Sequence, residues 1–407
     1  MTDSDIRKNL ILVLLILTST LMTMSTDLYA PSLPYLPEYF GTTNELVKLT
    51  MSLWMMAYGG LLLIFGPLSE RYGRRPVLVG AMAVFTLCSF LCTVATSIEY
   101  LIIARMIQGA AAGAEGVLVL SIIRDCFDEK GQVRAFSIYR AANAIPPIFT
   151  PILGAYIFLW FGWQANFILL TVIAGSVTVL LWKFLDESGS ANTQVVSIRK
   201  IAADYWSLIR NRRFLSFAVI MSTTIAFLVV FATVVPFVLV QQLEHDAAVF
   251  GYFQGATMVA FIFGSIAANR MANMVSVSRL LSLGIGIVVL GAVLLSLVVL
   301  LEVESLVTLG ITLAVMAFGH GPVLATTPPL AMSTSGAPTG ASAAMLLTIT
   351  SALASLTAVA EGAFSEGTSR SLATILAISS VIAVVAYLIA VRGQSADDLT
   401  PRSAQSG

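Results

Sequence analysis

A short basic link between two long apolar runs constrains this chain more than any other feature. The link covers residues 66–78 and reads Gly-Pro-Leu-Ser-Glu-Arg-Tyr-Gly-Arg-Arg-Pro-Val-Leu. Its charged residues are Glu70, Arg71, Arg74 and Arg75, and almost no charge occurs within a helix length on either side. A globular domain has no need of this arrangement. In a membrane protein, arginines beside a spanning segment hold that end in the cytoplasm.

The composition supports a membrane protein and excludes several other classes. Of 407 residues, 57% are hydrophobic and 11% are charged, whereas globular proteins carry about 25% charged residues. The net charge of zero argues against nucleic-acid binding, which needs a basic surface. Three cysteines are too few for a disulfide framework, and Cys88 and Cys92 have no histidine or acid nearby to complete a metal site. No cofactor is expected.

Twelve apolar stretches reach the length of about 20 residues that a spanning helix needs. They are 10–33, 46–66, 77–96, 100–123, 133–158, 163–185, 214–240, 250–269, 280–301, 305–329, 338–361 and 372–391. The first is too long for a signal peptide and lacks an Ala-x-Ala cleavage site, so we expect it to be retained. The pattern predicts an all-α membrane protein with twelve transmembrane helices in two six-helix bundles.

The connections are short except one, which divides the chain into six plus six. Residues 1–185 are predicted to form the first bundle and 214–407 the second. The polar linker 186–213 lies between them, and its 198–210 stretch alternates apolar and basic positions at helical spacing, which favours a helix along the inner membrane surface. Gly264 to Arg270 repeats the position of Gly66 to Arg71, as in transporters that rock about a central site.

Basic residues give the predicted orientation. An even number of crossings places both termini on one side, and the basic residues gather there, whereas the opposite loops hold only Lys48 and Arg370. Both termini and the linker are therefore predicted to be cytoplasmic, in the cell inner membrane. The side of the termini holds Arg7, Lys8, Arg71, Arg74, Arg75, Arg124, Lys130, Arg134, Lys183, the linker, Arg270, Arg279, Arg392 and Arg402.

The link at 66–78 resembles the G-x-L-a-D-r-x-G-r-[RK] loop of the major facilitator superfamily, with Glu70 in place of the usual Asp. Within that superfamily, the whole chain is similar to the drug:proton antiporters of the bicyclomycin and chloramphenicol exporter branch. Residues 27–34 resemble the branch's first-span signature, and 105–109 resemble its fourth-span basic motif. Residues 146–154 resemble its fifth-span antiporter motif, although Thr150 replaces a usual glycine.

The resemblance and the charge pattern together predict a conformational switch. Glu70 and the arginines of the link, with the pair Arg124 and Asp125, are expected to form a charge network at the inner surface that locks the outward-facing state. Setting the topology is part of the account of these charges, and their spacing with Gly66 and Gly73 favours both roles. The predicted switch residues are Gly66, Glu70, Arg71, Gly73, Arg74, Arg75, Arg124, Asp125, Pro147, Pro151 and Gly154.

Charges inside the spans are candidates for function, because each costs roughly 3 kcal/mol in the hydrocarbon region. The first half holds Asp27, Arg105, Glu115 and Arg140, whereas the span cores of the second half hold only the titratable His320. We therefore expect the first half to carry the proton and the second to offer an apolar wall. His320 lies where the tenth span is expected to break, near Pro322, Pro328 and Pro329, and is either a hinge residue or a proton site.

Each of these charged residues has a functional and a structural interpretation. Asp27 shares a helix face with Thr20 and Thr23 and either carries a proton or caps the broken first helix. Glu115 is either a proton carrier, an acid that meets a cationic drug, or the ion-pair partner of Arg140. Arg140 alternatively reaches the cytoplasmic surface. Arg105 either opposes a carboxylate or extends to the outer boundary.

Aromatic and methionine side chains within the spans suit flat apolar cations and adapt to several ligands. Ordinary packing is an equally good account of each. The residues that could line a pocket are Tyr29, Trp54, Met55, Tyr58, Gln108, Ala112, Tyr139, Asn143, Phe227, Phe231 and Phe261.

These observations predict a proton-coupled exporter of small amphipathic or cationic compounds that works by alternating access, as a monomer. No phosphate-binding loop points to ATP, and no catalytic triad or metal-ligand set points to an enzyme. An exporter of one metabolite, such as a siderophore, sugar or amino acid, is the alternative. An uptake symporter and a non-transporting receptor are less favoured, and the sequence leaves the choice between H⁺ and Na⁺ open.

Overall fold

The computed structural model describes residues 3–188, 198–272, 274–364 and 367–391. Twelve of its helices are long and apolar enough to cross a membrane, judged by length and composition. This finding confirms the predicted number of spans. Many large apolar side chains remain exposed on these helices, among them Trp160, Phe161 and Trp182, as expected of surfaces that face lipid. Arg392 and Arg402, used above for the orientation, lie outside the described residues.

Eight helices cover the chain before the linker. They are α1 (Asp3–Asp27), α2 (Leu36–Phe40), α3 (Asn44–Tyr72), α4 (Arg74–Thr93), α5 (Ile98–Cys126), α6 (Glu129–Asn143), α7 (Pro146–Phe161) and α8 (Gln164–Phe184). A 3-10 turn at Ala30–Tyr35 joins α1 to α2, and Pro31 stands at its start. The first span therefore does break directly after Asp27.

Seven helices follow. They are α9 (Ile198–Arg210), α10 (Arg212–Phe237), α11 (Ala247–Met271), α12 (Val277–Leu300), α13 (Leu306–Thr334), α14 (Thr339–Phe364) and α15 (Ser369–Val391). A π-helical turn at Val238–Gln242 extends α10. The helix predicted at 198–210 is present as α9, where Leu208 is buried and Trp206 and Ile209 are exposed.

The basic link is almost entirely helical, unlike the loop that the sequence suggested. Helix α3 continues to Tyr72 and α4 begins at Arg74, so Gly73 alone separates them. Gly73 has a φ of +96°, a conformation that favours glycine. The chain thus reverses direction at one residue, with the arginines already on helix ends.

Prolines act differently in the two spans where breaks were expected. The fifth span divides into α6 and α7 just before Pro146, which occupies the first turn of α7, where a missing N–H costs nothing. In contrast, α13 is one helix that contains Pro322, Pro328 and Pro329. The expected break of the tenth helix at His320 is therefore wrong, because the helix runs through it.

The residues cluster into two compact units. One contains Met1–Ser197, Phe231–Gly255 and Ala358–Gly367, and the other contains Ile198–Val230, Ala256–Thr357 and Thr368–Gly407. In the first unit, α5 packs between α3 and α4, and α1 packs against α7 and α8. In the second unit, α12 packs against α13 and α15. The division into bundles at 1–185 and 214–407 with a linker at 186–213 stays a prediction.

Candidate functional site

Asp27 is the last residue of α1, and its side chain is 7% exposed. Its carboxyl group is hydrogen-bonded by the side chain of Gln254 and, at 3.4 Å, by the hydroxyl of Thr26. The predicted stripe of Thr20 and Thr23 contributes less directly, since it is the backbone carbonyl of Thr23 that accepts the Thr26 hydroxyl at 2.9 Å. Both recorded partners of Asp27 are therefore neutral.

Gln254 reaches Asp27 because α11 packs very closely against α7. A Cβ at Gly251 would lie 2.8 Å from the Cα of Ile152, and a Cβ at Gly255 would lie 3.0 Å from the backbone oxygen of Ile148. Only glycines allow this approach, and Gln254 lies between them. Sequence analysis missed Gln254. A lone glutamine in an apolar span could have indicated a polar contact, because a buried amide needs a hydrogen-bond partner.

The antiporter-like stretch of α7 also supports Asp27 from the other side. Gly154 faces the backbone of Leu28 so closely that a Cβ there would overlap it. The side-chain amide of Asn166 donates to the carbonyl of Gly154 at 3.2 Å, which links α8 to the same place. Helix α7 therefore contacts both the end of α1 and α11. The predicted switch roles of Pro147, Pro151 and Gly154 stay predictions.

Glu115 forms the second buried acidic site, on α5, and is 5% exposed. The hydroxyl of Tyr139 on α6 donates to its carboxylate at 3.0 Å, and Ser19 on α1 also bonds it. The hydroxyls of Ser19 and Tyr139 are 2.7 Å apart. Three helices thus meet at one carboxyl group, again through neutral side chains. Sequence analysis did not find Ser19.

The structure does not form the ion pair between Glu115 and Arg140 that was one interpretation. Arg140 is exposed, although its neighbour Tyr139 points to Glu115. Adjacent residues on a helix point in directions about 100° apart, which follows from 3.6 residues per turn. Only one of the two can therefore face the carboxyl group, and the structure places the tyrosine there.

Arg105 is completely buried on α5, in contrast to the boundary position considered above. It donates to the backbone oxygen of Ser25 at 2.9 Å and to the side-chain oxygen of Gln108 at 2.5 Å. Among the ion pairs of the described ranges none involves Arg105, and Glu115 lies about 15 Å away along the helix. Its guanidinium lies 5.4, 5.5 and 5.8 Å from the ring centroids of Tyr29, Trp54 and Phe167.

Gln108 is positioned by its neighbours rather than open to a ligand. Its oxygen accepts from Arg105, and its amide nitrogen donates to Ser89 at 2.7 Å. This chain of hydrogen bonds fixes the arginine between α1, α4 and α5, and the Gln108 side chain is itself fully buried. Its role in substrate binding stays a prediction.

The remaining predicted pocket residues fall into separate groups. Trp54 and Tyr58 stack at 5.7 Å with their rings 6° apart, and the close approach of Gly109 and Gly113 to the α3 backbone brings that helix against α5. Ala112 is buried on α5, Met55 is partly exposed on α3, and Asn143 donates to the carbonyl of Tyr139.

The three predicted phenylalanines are divided between the two compact units. Phe231 packs against Phe250 and Phe253 in the first unit, and Phe227 and Phe261 belong to the second.

His320 lies inside the second unit and is almost fully buried. Its Nδ1 is 3.0 Å from the hydroxyl of Thr224, and its ring lies 4.7 Å from that of Phe227. A hinge role is not supported, because α13 is continuous there. The side chain instead joins α13 to α10.

The predicted charge network at the link forms in part. Arg74 bonds Asp125 at 3.3 Å and Ser69 at 2.6 Å, and Arg75 donates to the carbonyl of Trp182 at 2.5 Å. Glu187, which was not predicted, accepts the backbone N–H groups of Arg74 and Arg75. Glu70, Arg71 and Arg124 are exposed, and no ion pair involving them occurs among residues that the structure describes.

A buried ion pair corrects two predictions. Lys48 lies in α3, not in a loop, and its ammonium bonds both oxygens of Glu361 at 3.1 and 3.2 Å. Their side chains are 2% and 1% exposed. The second half therefore does contribute a buried charge, at the end of its eleventh-span segment. Hydropathy missed the pair because both residues lie at the ends of apolar runs.

The sequence profile of the Major Facilitator Superfamily matches residues 15–359, most of this chain. The chain belongs to the major facilitator superfamily. The resemblance stated from the residue motifs is thereby confirmed, and proteins of this superfamily are transporters of small molecules and not enzymes. This major facilitator protein is accordingly a multi-pass membrane transporter.

Relatives of this transporter include proteins named for drug resistance. A chloramphenicol resistance protein of Pseudomonas aeruginosa is 25% identical over 315 residues, which cover 74% of this chain and 73% of that protein. The multidrug transporter MdfA of Yersinia pestis (strain Angola) is 25% identical over 300 residues, 73% of each. The MFS-type transporter YdgK of Bacillus subtilis, described as uncharacterized, is 27% identical over 367 residues, 89% and 91%.

Solved structures share the fold at low sequence identity. A POT family transporter in complex with 5-aminolevulinic acid has a TM-score of 0.76 at 11% identity, with 96% of both chains covered. A D-xylose–proton symporter has a TM-score of 0.73 at 14% identity, with 94% and 96% covered. These likenesses establish the major facilitator fold alone.

Proposed function

We propose that this transporter is a proton-coupled exporter of small amphipathic or cationic compounds that works by alternating access. One observation carries the proposal. Two carboxyl groups, Asp27 and Glu115, are buried inside spans, and their recorded hydrogen-bond partners are the neutral side chains of Thr26, Gln254, Ser19 and Tyr139.

A buried carboxylate without a cation is costly, because burial removes its hydration without replacing the lost charge stabilisation. A proton removes that cost, and so does a positively charged substrate. Proton and cationic substrate therefore compete for the same group. When the substrate binds, the carboxyl group releases its proton, and when a proton returns, the substrate leaves.

The surroundings of Glu115 favour aromatic or amphipathic substrates. Tyr139 bonds it directly, and the stacked pair of Trp54 and Tyr58 lies on the neighbouring helix α3, where the Tyr58 hydroxyl approaches Gly116. Aromatic faces attract cations and accept flat apolar groups without strict geometry. The names of the Pseudomonas and Yersinia relatives support a drug-like cargo.

Arg105 is proposed to hold the proton site rather than to pair with it. It grips the carbonyl of Ser25, two residues before Asp27, and its charge is accommodated by three aromatic rings. We also propose that both termini are cytoplasmic and that the link at 66–78 is the conformational switch. The ion pair between Arg74 and Asp125 would connect this switch to α5. The proposal also keeps two rocking halves in one monomer.

The proposal is tested with Asp27→Asn and Glu115→Gln in cells and in vesicles that carry a pH gradient. Efflux of a cationic dye should fall to the level of vesicles without the protein in at least one variant, because an amide binds no proton in this pH range. Glu302→Gln is the control, since Glu302 is an exposed carboxylate. Its efflux should match the unaltered protein.

Undiminished pH-driven efflux in both variants would remove the mechanism. A second outcome would favour the alternative, an exporter of one metabolite. Deleting the protein would then leave cell growth with a panel of drugs, and dye efflux, unchanged, while one cellular compound accumulates. Repeating the assay with a sodium gradient at constant pH distinguishes H⁺ from Na⁺.

A further inference from the structure

Gln254 is a buried amide of which only one end has a recorded partner. The side chain bonds Asp27, yet its oxygen Oε1 is buried without any hydrogen bond. A glutamine side chain carries two N–H donors and one carbonyl acceptor. The bond to Asp27 is thus made by the amide nitrogen, and the acceptor is idle.

The idle acceptor gains a partner when Asp27 is protonated. A carboxylate accepts hydrogen bonds and donates none, whereas a carboxylic acid also donates through its O–H. The two ends of a glutamine amide have nearly the same shape, so a half-turn about the Cγ–Cδ bond exchanges nitrogen and oxygen. The same side chain can then satisfy either state of Asp27 without moving the helices.

We propose that Gln254 is a positioning residue for the proton site, which donates its N–H to the charged Asp27 and turns over to accept the O–H of the protonated Asp27. The inference rests on the proposed role of Asp27 as proton carrier. It concerns how Gln254 responds to the protonation state of Asp27, and it does not depend on which substrate is exported.

The location of Gln254 gives this turnover a mechanical consequence. Gln254 belongs to α11 in the second half of the sequence, and Asp27 ends α1 in the first. A hydrogen bond to a charged carboxylate is about twice as strong as one between neutral groups. Proton uptake therefore weakens the hydrogen bond that connects α1 to α11.

Other titratable groups near α1 do not replace Gln254. The helices packed against α1 carry, within their spans, Arg105 and Glu115 on α5, Tyr139 on α6 and Tyr156 on α7, and Lys183 lies in the last turn of α8. Arg105 donates to the carbonyl of Ser25, and Tyr139 and Glu115 bond Ser19, two turns away from Asp27. Near Asp27, α7 offers the backbone around Gly154.

The test compares Gln254→Met with the unaltered protein, because methionine keeps the length of the side chain and removes both polar ends. The pH at which dye efflux is half-maximal should move by about one unit towards alkaline values, the size expected for loss of one hydrogen bond to a carboxylate. The shift is alkaline because the charged state loses its donor. Gln164→Met, which removes an exposed hydrogen bond to Tyr39, should leave the profile in place.

A cycle with Asp27→Asn separates this inference from the proposed function. Once Asp27 is replaced, Gln254→Met should cause no further change in substrate binding beyond a factor of about two. If Asp27→Asn abolishes efflux and Gln254→Met leaves the pH profile unchanged, the role of Gln254 alone is refuted. If Asp27→Asn exports normally, the role of Asp27 as proton carrier, on which this inference rests, is refuted. The proposed function is refuted only if Glu115→Gln also exports normally.

The inference can also be tested without altering Gln254. Infrared difference spectra of the protein between acid and alkaline pH should contain a carboxylic C=O band that Asp27→Asn abolishes. The frequency of this band should be that of an acid whose O–H is hydrogen-bonded to an amide. A band at the frequency of a free acid would overturn the turnover of Gln254.

Discussion

The geometry around Glu115 depends on hydrogen bonds from single hydroxyl groups. The hydroxyl of Tyr139 donates to Glu115, and Ser19 neighbours both groups, with one O–H that can donate to either of them. Inside a protein, leaving a charged acceptor without its donor costs more than the hydrogen bond itself contributes. The three side chains should therefore behave as one unit rather than as separate contacts.

Tyr139→Phe should destabilise the protein by about 1–3 kcal/mol, since it removes one hydroxyl and leaves Glu115 with a single donor. Thermal unfolding in detergent measures the effect. Tyr156→Phe is the matched control, because Tyr156 bonds Tyr252 in an exposed position. It should change stability by less than about 0.5 kcal/mol. Equal effects of the two substitutions would mean that the Glu115 site is open to water.

At the scale of helices, Gly73 decides how the basic link is built. It reverses the chain between α3 and α4 with a positive φ, and a Cβ there would press into the carboxylate of Glu187. Glu187 accepts the first N–H groups of α4, a favourable place for a negative charge. The start of the linker is thereby fixed to the link.

Gly73→Ala should cost about 2–3 kcal/mol, from the strained φ and the displaced carboxylate together. Gly41→Ala gives a lower bound for the first contribution and should cost roughly 1 kcal/mol, because Gly41 lies in the αL region with open space around it. Gly73, at φ +96° and ψ +153°, lies in a region that essentially only glycine adopts. Chemical or thermal unfolding of both variants gives the difference. If Gly41→Ala costs as much as Gly73→Ala, Glu187 contributes nothing.

Helices were predictable from the sequence, and contacts between distant helices were not. Apolar length alone gives twelve spans, and charge rarity alone finds Asp27 and Glu115, because the membrane penalises each deviation strongly. The partner of each charge depends on which helices meet, and a sequence does not state that. Gln254 was missed for this reason. The break at His320 was wrong because helices in membranes accommodate prolines when neighbours satisfy the freed backbone groups.

At the scale of the whole molecule, the pair of Lys48 and Glu361 joins residues 313 positions apart in the chain. It lies within the first compact unit, where the ammonium is also 5.5 Å from the ring centroid of Phe237. Two charges in so dry a place depend on each other. Removal of either one leaves the other without its ion-pair partner.

Lys48→Met or Glu361→Gln should therefore each destabilise the protein by about 3–5 kcal/mol. The double replacement Lys48→Met with Glu361→Leu should recover most of that loss, because no lone charge remains. The exchange Lys48→Glu with Glu361→Lys should recover part of it. Arg370→Gln is the control: its ion pair with Glu302 is 73% and 74% exposed, so its loss should cost less than about 1 kcal/mol.

The comparison of the four variants distinguishes charge from packing in thermal unfolding. If packing alone held these segments together, the double apolar variant would be no better than either single one, and the exchanged pair would be worst. If instead the charges decide stability, a variant should be destabilised whenever one charge of the pair lacks its partner, irrespective of which residue carries that charge. The second result would show that what costs stability at this contact is a lone buried charge, whether or not the ion pair itself is present.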